Sequence, residues 1–131
     1  MKFVIVAFAL LISACAHTSQ SQPINSADTS ILLTHSVFFK LENNDEASIL
    51  ELTEACNKYL KPHEGIEYFA VGPRAIDKKR DVNDQNFDVA LIIIFKDVAS
   101  HDAYQTSEKH LKFIELYKDN WKNVRVFDGV S

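Results

Sequence analysis

The most pointed chemistry in this sequence belongs to two side chains six residues apart, Tyr104 and His110 in Tyr-Gln-Thr-Ser-Glu-Lys-His. A neutral imidazole serves as a general base near pH 7, and a phenol can hydrogen-bond a carbonyl or enolate oxygen as charge develops on it. His110 opens an apolar helical pattern. At about 100° per residue, His110, Phe113, Ile114, Tyr117 and Trp121 fall within a stripe about 100° wide, so His110 faces inward. His35 shares one face of an alternating strand pattern with Val37 and Phe39. Two histidines and a tyrosine thus become candidates for one apolar cavity between helix and sheet, walled by Val37, Phe39, Phe113, Tyr117 and Trp121. The plainer alternative is a core histidine paired with a backbone carbonyl or with Tyr104. A buried polar group that loses its partner costs about 1–3 kcal/mol whatever its role.

Other chemistry-bearing residues promise less. His101, three residues before Tyr104, sits at the rim or in partial exposure, and His63 lies in a Pro-His-Glu-Gly turn that needs no function. Lys78-Lys79-Arg80 is flanked by Asp77, Asp81 and Asp84, the pattern of a solvated loop. Cys56 falls on the apolar stripe of a helix and reads as an inert core thiol. There is no CxxC, HExxH or EF-hand loop, and three glycines leave no Gly-rich phosphate cradle. No serine occupies a nucleophile elbow. No metal and no cofactor is expected; a haem-linked role would need His110 or His35 as ligand, and nothing in the sequence selects it.

The elements that must position these residues follow from hydrophobic periodicity. Ile31–Leu41 alternates as a strand. Asn44 or Asp45 can cap a helix over Glu46–Leu60, with apolar Ile49, Leu52, Cys56, Tyr59 and Leu60, stopped by Pro62. Gly65–Pro73 reads as a second strand, residues 75–86 as a charged loop, and Phe87–Phe95, "FDVALIIIF", as the strongest strand. Asp97 caps a short helix through Gln105 and Ser107 a second through about Asn120. Asn123–Asp128 is the last strand. The order β-α-β-β-α-β is that of a ferredoxin-like α+β protomer, an antiparallel sheet with helices on one face. Phe38, Ile92 and Ile94 have the opposite parity from His35 and Leu91, so both faces of the sheet are apolar. Cover by a second sheet, a homodimer, is expected.

The chain begins Met1-Lys2, then ten uninterrupted apolar residues, Phe3–Ile12, then Ser13-Ala14-Cys15. Ten residues are too few for a span, which needs about twenty. A positive start, a short apolar stretch and small residues are the parts of a secretory signal. Leu11-Ile12-Ser13-Ala14-Cys15 resembles the lipobox of bacterial lipoproteins. That resemblance implies a signal peptide over 1–14 and lipidation of Cys15. It also implies a periplasm-facing envelope protein, at the outer membrane because Ala16 rather than Asp follows the cysteine. Residues 15–30 are polar and read as a tether, and the domain occupies 31–131. Loss of Lys2 with the leader takes the net charge from −4 to about −5. A net acidic domain without a basic patch argues against nucleic acid and polybasic membrane binding.

"THSVFFKL", "FDVALIIIFKD" and "AYQTSEKHLKFIELYKDNWKNVRVFD" together resemble the stress-responsive A/B barrel (Dabb) family over residues 34–129. The resemblance implies a dimeric α+β barrel, two ferredoxin-like protomers joined sheet to sheet. Many members carry His-Pro-x-His near the second helix. Here Ser107 and Glu108 replace the first His and Pro, while His110 keeps the second His position. A plant member that closes a polyketide ring is proposed to use a histidine base assisted by a tyrosine; His110 and Tyr104 match those positions. His35, Phe113 and Trp121 match further pocket residues. The resemblance therefore implies two function classes. One is a stress-linked or small-molecule-binding barrel without catalysis, taking a small apolar or β-keto ligand. The other is a cofactor-independent cyclase or isomerase.

Overall fold

In a computed structural model the described residues are 31–131. The expected signal peptide, Cys15 and tether lie outside them. Four strands, β1 (Leu33–Leu41), β2 (Ile66–Pro73), β3 (Val89–Phe95) and β4 (Trp121–Val130), form one antiparallel sheet in the order β2-β3-β1-β4. Three helices, α1 (Glu46–Ala55), α2 (Val98–Thr106) and α3 (Glu108–Tyr117), complete the α+β ferredoxin-like protomer that the periodicity predicts. Among the described residues no helix is long and apolar enough to cross a membrane.

Alternation decides which sheet face is covered. Leu33, His35, Val37, Phe39 and Leu41 of β1 and Val89, Leu91, Ile93 and Phe95 of β3 are buried beneath the helices. Leu52, Ala55, Cys56 and Leu60 cover them from above, joined by Tyr104 and Phe113. On the opposite face Phe38, Ile92 and Ile94 are only half buried, while Tyr68 and Phe127 are 54% and 56% exposed.

The helix starts are fixed by short polar side chains that satisfy free N–H groups of the first turn. Asp45 accepts from Ser48 N at 2.8 Å, and Asp97 accepts from Ser100 N at 2.7 Å. Helix α1 runs on into a π-helical turn, Cys56–Leu60, closed by Lys61 N–H donating to Cys56 O at 3.2 Å. The reading of one helix from Glu46 to Leu60 thus merges two helical geometries.

The sequence reading ends the last helix near Asn120 and begins the strand at Asn123. The chain instead leaves α3 through a 3₁₀ turn, Lys118–Asn120, and β4 already starts at Trp121. The register against β1 slips by one residue between Lys40 and Leu41, leaving Lys122 as the extra residue of a bulge. That bulge changes the parity of β4. Without it Trp121 would face away from Val124 and Val126; with it all three lie on the helix-covered side, a re-aiming for which bulges are suited.

Candidate functional site

A cavity of about 180 Å³ lies where α2 and α3 pass over β1 and β4. Its walls include His35, Val37 and Phe39 from β1, Tyr104 and Gln105 from α2, His110 and Phe113 from α3, and Trp121, Val124 and Val126 from β4. Phe113 and Trp121 meet at 5.6 Å between ring centres, and Phe39 lies 5.1 Å from Trp121. Tyr117, expected in this wall, stands outside it, packed against Phe113 at 5.5 Å and Tyr59 at 6.3 Å. The helical wheel placed Tyr117 and Trp121 side by side. Only Trp121 reaches the cavity, and it comes from the strand.

Tyr104 is the hub. Its ring, 2% exposed, lies 4.7 Å from His110, 4.9 Å from His63 and 5.9 Å from His35. Burial drives the phenol well above its ordinary pKa, so Tyr104 stays protonated and acts as a hydrogen-bond donor rather than a base. Burial also lowers His110 below the ordinary histidine value, opposed by the Gln105 carbonyl and reinforced by the other histidines. His110 is therefore held in its neutral, basic form. Its Nδ1 is buried without a hydrogen-bond partner, and so is Trp121 Nε1. The Gln105 carbonyl acts on the ring, as the core-histidine alternative expects, while Nδ1 is left without a partner.

His35 is only 4% exposed, and its Nδ1 lies 2.7 Å from Asp128 Oδ1. An ionised carboxylate only accepts, so Nδ1 carries the proton and Nε2 keeps its lone pair. Burial lowers the His35 pKa, and the Asp128 hydrogen bond and charge work in the opposite direction. His101 is half buried 5.2 Å from His35, with Nδ1 3.3 Å from Asp102 Oδ1 and Nε2 3.1 Å from Gln105 Nε2. One donor atom each from His35, His101 and Asp128 lies within 4.8 Å of the other two.

Two residues here escaped the sequence reading. In sequence Asp128 only ends a strand, yet the register His35↔Asp128 sets it beside His35. The alternation of Val124, Val126 and Asp128 would have placed it on the cavity face. His63 bridges Leu60 O at 2.8 Å and Ser107 Oγ at 2.7 Å, tying the turn after α1 to the α2–α3 junction. Ser107 also donates to Tyr104 O at 2.8 Å and accepts from His110 N at 3.2 Å, so one hydroxyl sets the spacing of the Tyr104–His110 pair. Cys56 is fully buried and its thiol is pushed up to about 12 by that burial, which fits an inert core residue.

The sequence matches the Stress responsive A/B Barrel Domain over residues 33–131. No curated protein matches it. Among solved structures, a dimeric ferredoxin-like protein of unknown function from Thermobifida fusca superimposes with a TM-score of 0.65 at 12% identity, over 79% of this chain and 93% of that one. A Dabb family protein with a ferredoxin-like fold from Mesorhizobium loti gives 0.64 at 19% identity, over 77% and 97%. The hydroxynitrile lyase of Passiflora edulis gives 0.63 at 16% identity, over 78% and 94%. These likenesses carry the fold, and the domain match carries the family: the chain belongs to the stress-responsive A/B barrel (Dabb) family.

Proposed function

We propose that the protein is a small-molecule-binding Dabb barrel that works as a homodimer tethered to the cell envelope through lipid on Cys15. The ligand reading rests on one observation. His110 Nδ1 and Trp121 Nε1, both buried and both unpartnered, belong to residues lining one largely apolar cavity. Buried polar atoms are almost always paired, by protein, water or ligand. An indole N–H only donates, so a ligand that opens the packing over Trp121 Nε1 would carry a carbonyl or hydroxyl oxygen on an apolar frame. At about 180 Å³ the cavity is smaller than the roughly 300–1,000 Å³ of sites for drug-sized molecules, which favours a small ligand.

Trp121 is the sole tryptophan, so its emission reports directly on the cavity. In a titration with small cyclic ketones, phenols and β-keto esters, at least one should shift Trp121 emission saturably. Val126→Phe, which fills the mouth, should abolish the shift. A panel that leaves the emission unchanged while the protein is folded sinks the reading.

A second reading, proton transfer on a β-keto compound, is favoured by neutral His110 lying 4.7 Å from protonated Tyr104. Base and donor are then separate groups on one cavity, as enolate chemistry needs. His110→Ala should keep the fold and lose turnover if this holds; equal turnover in the variant rejects it. For the anchor, the expectation is that Cys15→Ser moves the protein from the membrane to the soluble fraction. An unchanged distribution excludes lipid at that position.

A further inference from the structure

We propose that His35, His101 and Asp128 form a binding site for a divalent transition metal of the zinc class, at the His35 end of the cavity. The sequence pattern gives no hint of it, because the three residues come from β1, α2 and β4 and share no spacing motif. Folding brings one donor atom of each within 4.8 Å of the other two. Two imidazoles bound to one tetrahedral ion through bonds of about 2.0–2.1 Å have ring centres about 5 Å apart. His35 and His101 stand 5.2 Å apart, tilted by 57°.

The surroundings resemble those that prepare histidines for metal. A ligating histidine commonly donates its other N–H to a carboxylate, which fixes ring and tautomer. His101 Nδ1 has Asp102 Oδ1 at 3.3 Å in that role, leaving the Nε2 lone pair for the ion once the Gln105 amide gives way. The ion takes the place of the proton shared by His35 Nδ1 and Asp128 Oδ1, which part from 2.7 Å to the roughly 3.3 Å that two bonds to a tetrahedral ion require. That proton moves to Nε2, so His35 stays neutral and no net charge is lost. Asp128 is half exposed, which provides entry and leaves a fourth position for water. Two imidazoles and one carboxylate suit zinc and its neighbours better than magnesium or calcium, which take oxygen ligands. The inference is independent of the small-molecule reading, since an oxygen ligand near Trp121 is not required for it.

Cobalt(II) makes the test optical. Full-length protein in detergent, stripped with a chelator, is titrated with Co²⁺ and then with Zn²⁺. One Co²⁺ per chain is expected, with the intense visible absorption of four- or five-coordinate cobalt, displaced by Zn²⁺. His101→Ala and Asp128→Asn should each weaken binding at least tenfold, and Asp102→Asn by about tenfold. His17→Ala, which removes a histidine outside the described residues, should leave it unchanged. Circular dichroism checks each fold; should His101→Ala fail to fold, Asp128→Asn decides. Absence of a bound ion, or affinity and spectrum unaltered in both His101→Ala and Asp128→Asn, overturns the proposal.

Discussion

An imidazole nitrogen with no partner is a cost, and at His110 that cost can be measured. Replacing a buried polar group by an apolar one of similar reach removes the desolvation penalty. His110→Leu is therefore expected to stabilise the fold by about 1 kcal/mol in urea denaturation; a loss of stability would show that the interaction of the ring with the Gln105 carbonyl outweighs that penalty. The same residue governs acid behaviour. Burial lowers both His35 and His110 below the ordinary histidine value, so both are neutral in the folded chain where the unfolded chain begins to protonate. As pH falls through about 6.5 the unfolded state takes up protons first. The contribution of these residues is thus intact above that pH and lost below it. The urea midpoint should drop between pH 7.5 and pH 5, and His110→Leu should shrink that drop. Periodicity was enough to turn His35 and His110 inward. What they touch was not legible, because Asp128 meets His35 only through the β1–β4 register, 93 residues apart in sequence.

At the scale of elements, turns and bulges carry what periodicity leaves open. The alternating and helical patterns predict each strand and helix because each buries one face. Trp121 shows where such reasoning stops. Its place on the helical wheel is right for an inward residue, but inwardness is achieved by a bulge at Lys122, and no single-residue preference announces that. Gly65 is a second such point. It holds φ +81°, in the left-handed region, and a Cβ there would lie 2.3 Å from Ser100 Oγ. Its carbonyl accepts from Lys96 N at 2.9 Å, so it joins the start of β2 to the end of β3. Gly65→Ala combines backbone strain with overpacking, each about 1–3 kcal/mol. A loss of 2 kcal/mol or more is expected in thermal or urea unfolding, and a change under about 0.5 kcal/mol would contradict this account.

For the whole molecule, the half-buried face of the sheet matters most. Phe38, Ile92 and Ile94, flanked by exposed Tyr68 and Phe127, form an apolar surface of the kind that marks an interface. The Thermobifida fusca relative is dimeric. Ile92→Glu would put a charge at the centre of that face. Light scattering should report a dimer for the parent chain and a monomer for the variant; identical masses would remove the sheet-to-sheet pairing from consideration.

The sheet order β2-β3-β1-β4 also has a consequence for how the protein comes into being. The first strand made, β1, lies between β3 and the last strand made, β4, and Leu33 pairs with Val130 at the far end of the chain. Until β4 pairs with it, β1 therefore has one side bare, wherever the chain folds. Trp121, Val124, Val126 and Asp128 arrive in that same last stretch. Docking of β4 thus supplies the closing edge of the sheet and the fourth wall of the cavity together. A chain in which β4 has not paired with β1 therefore lacks that wall, and occupancy of the cavity would report that β4 is in place.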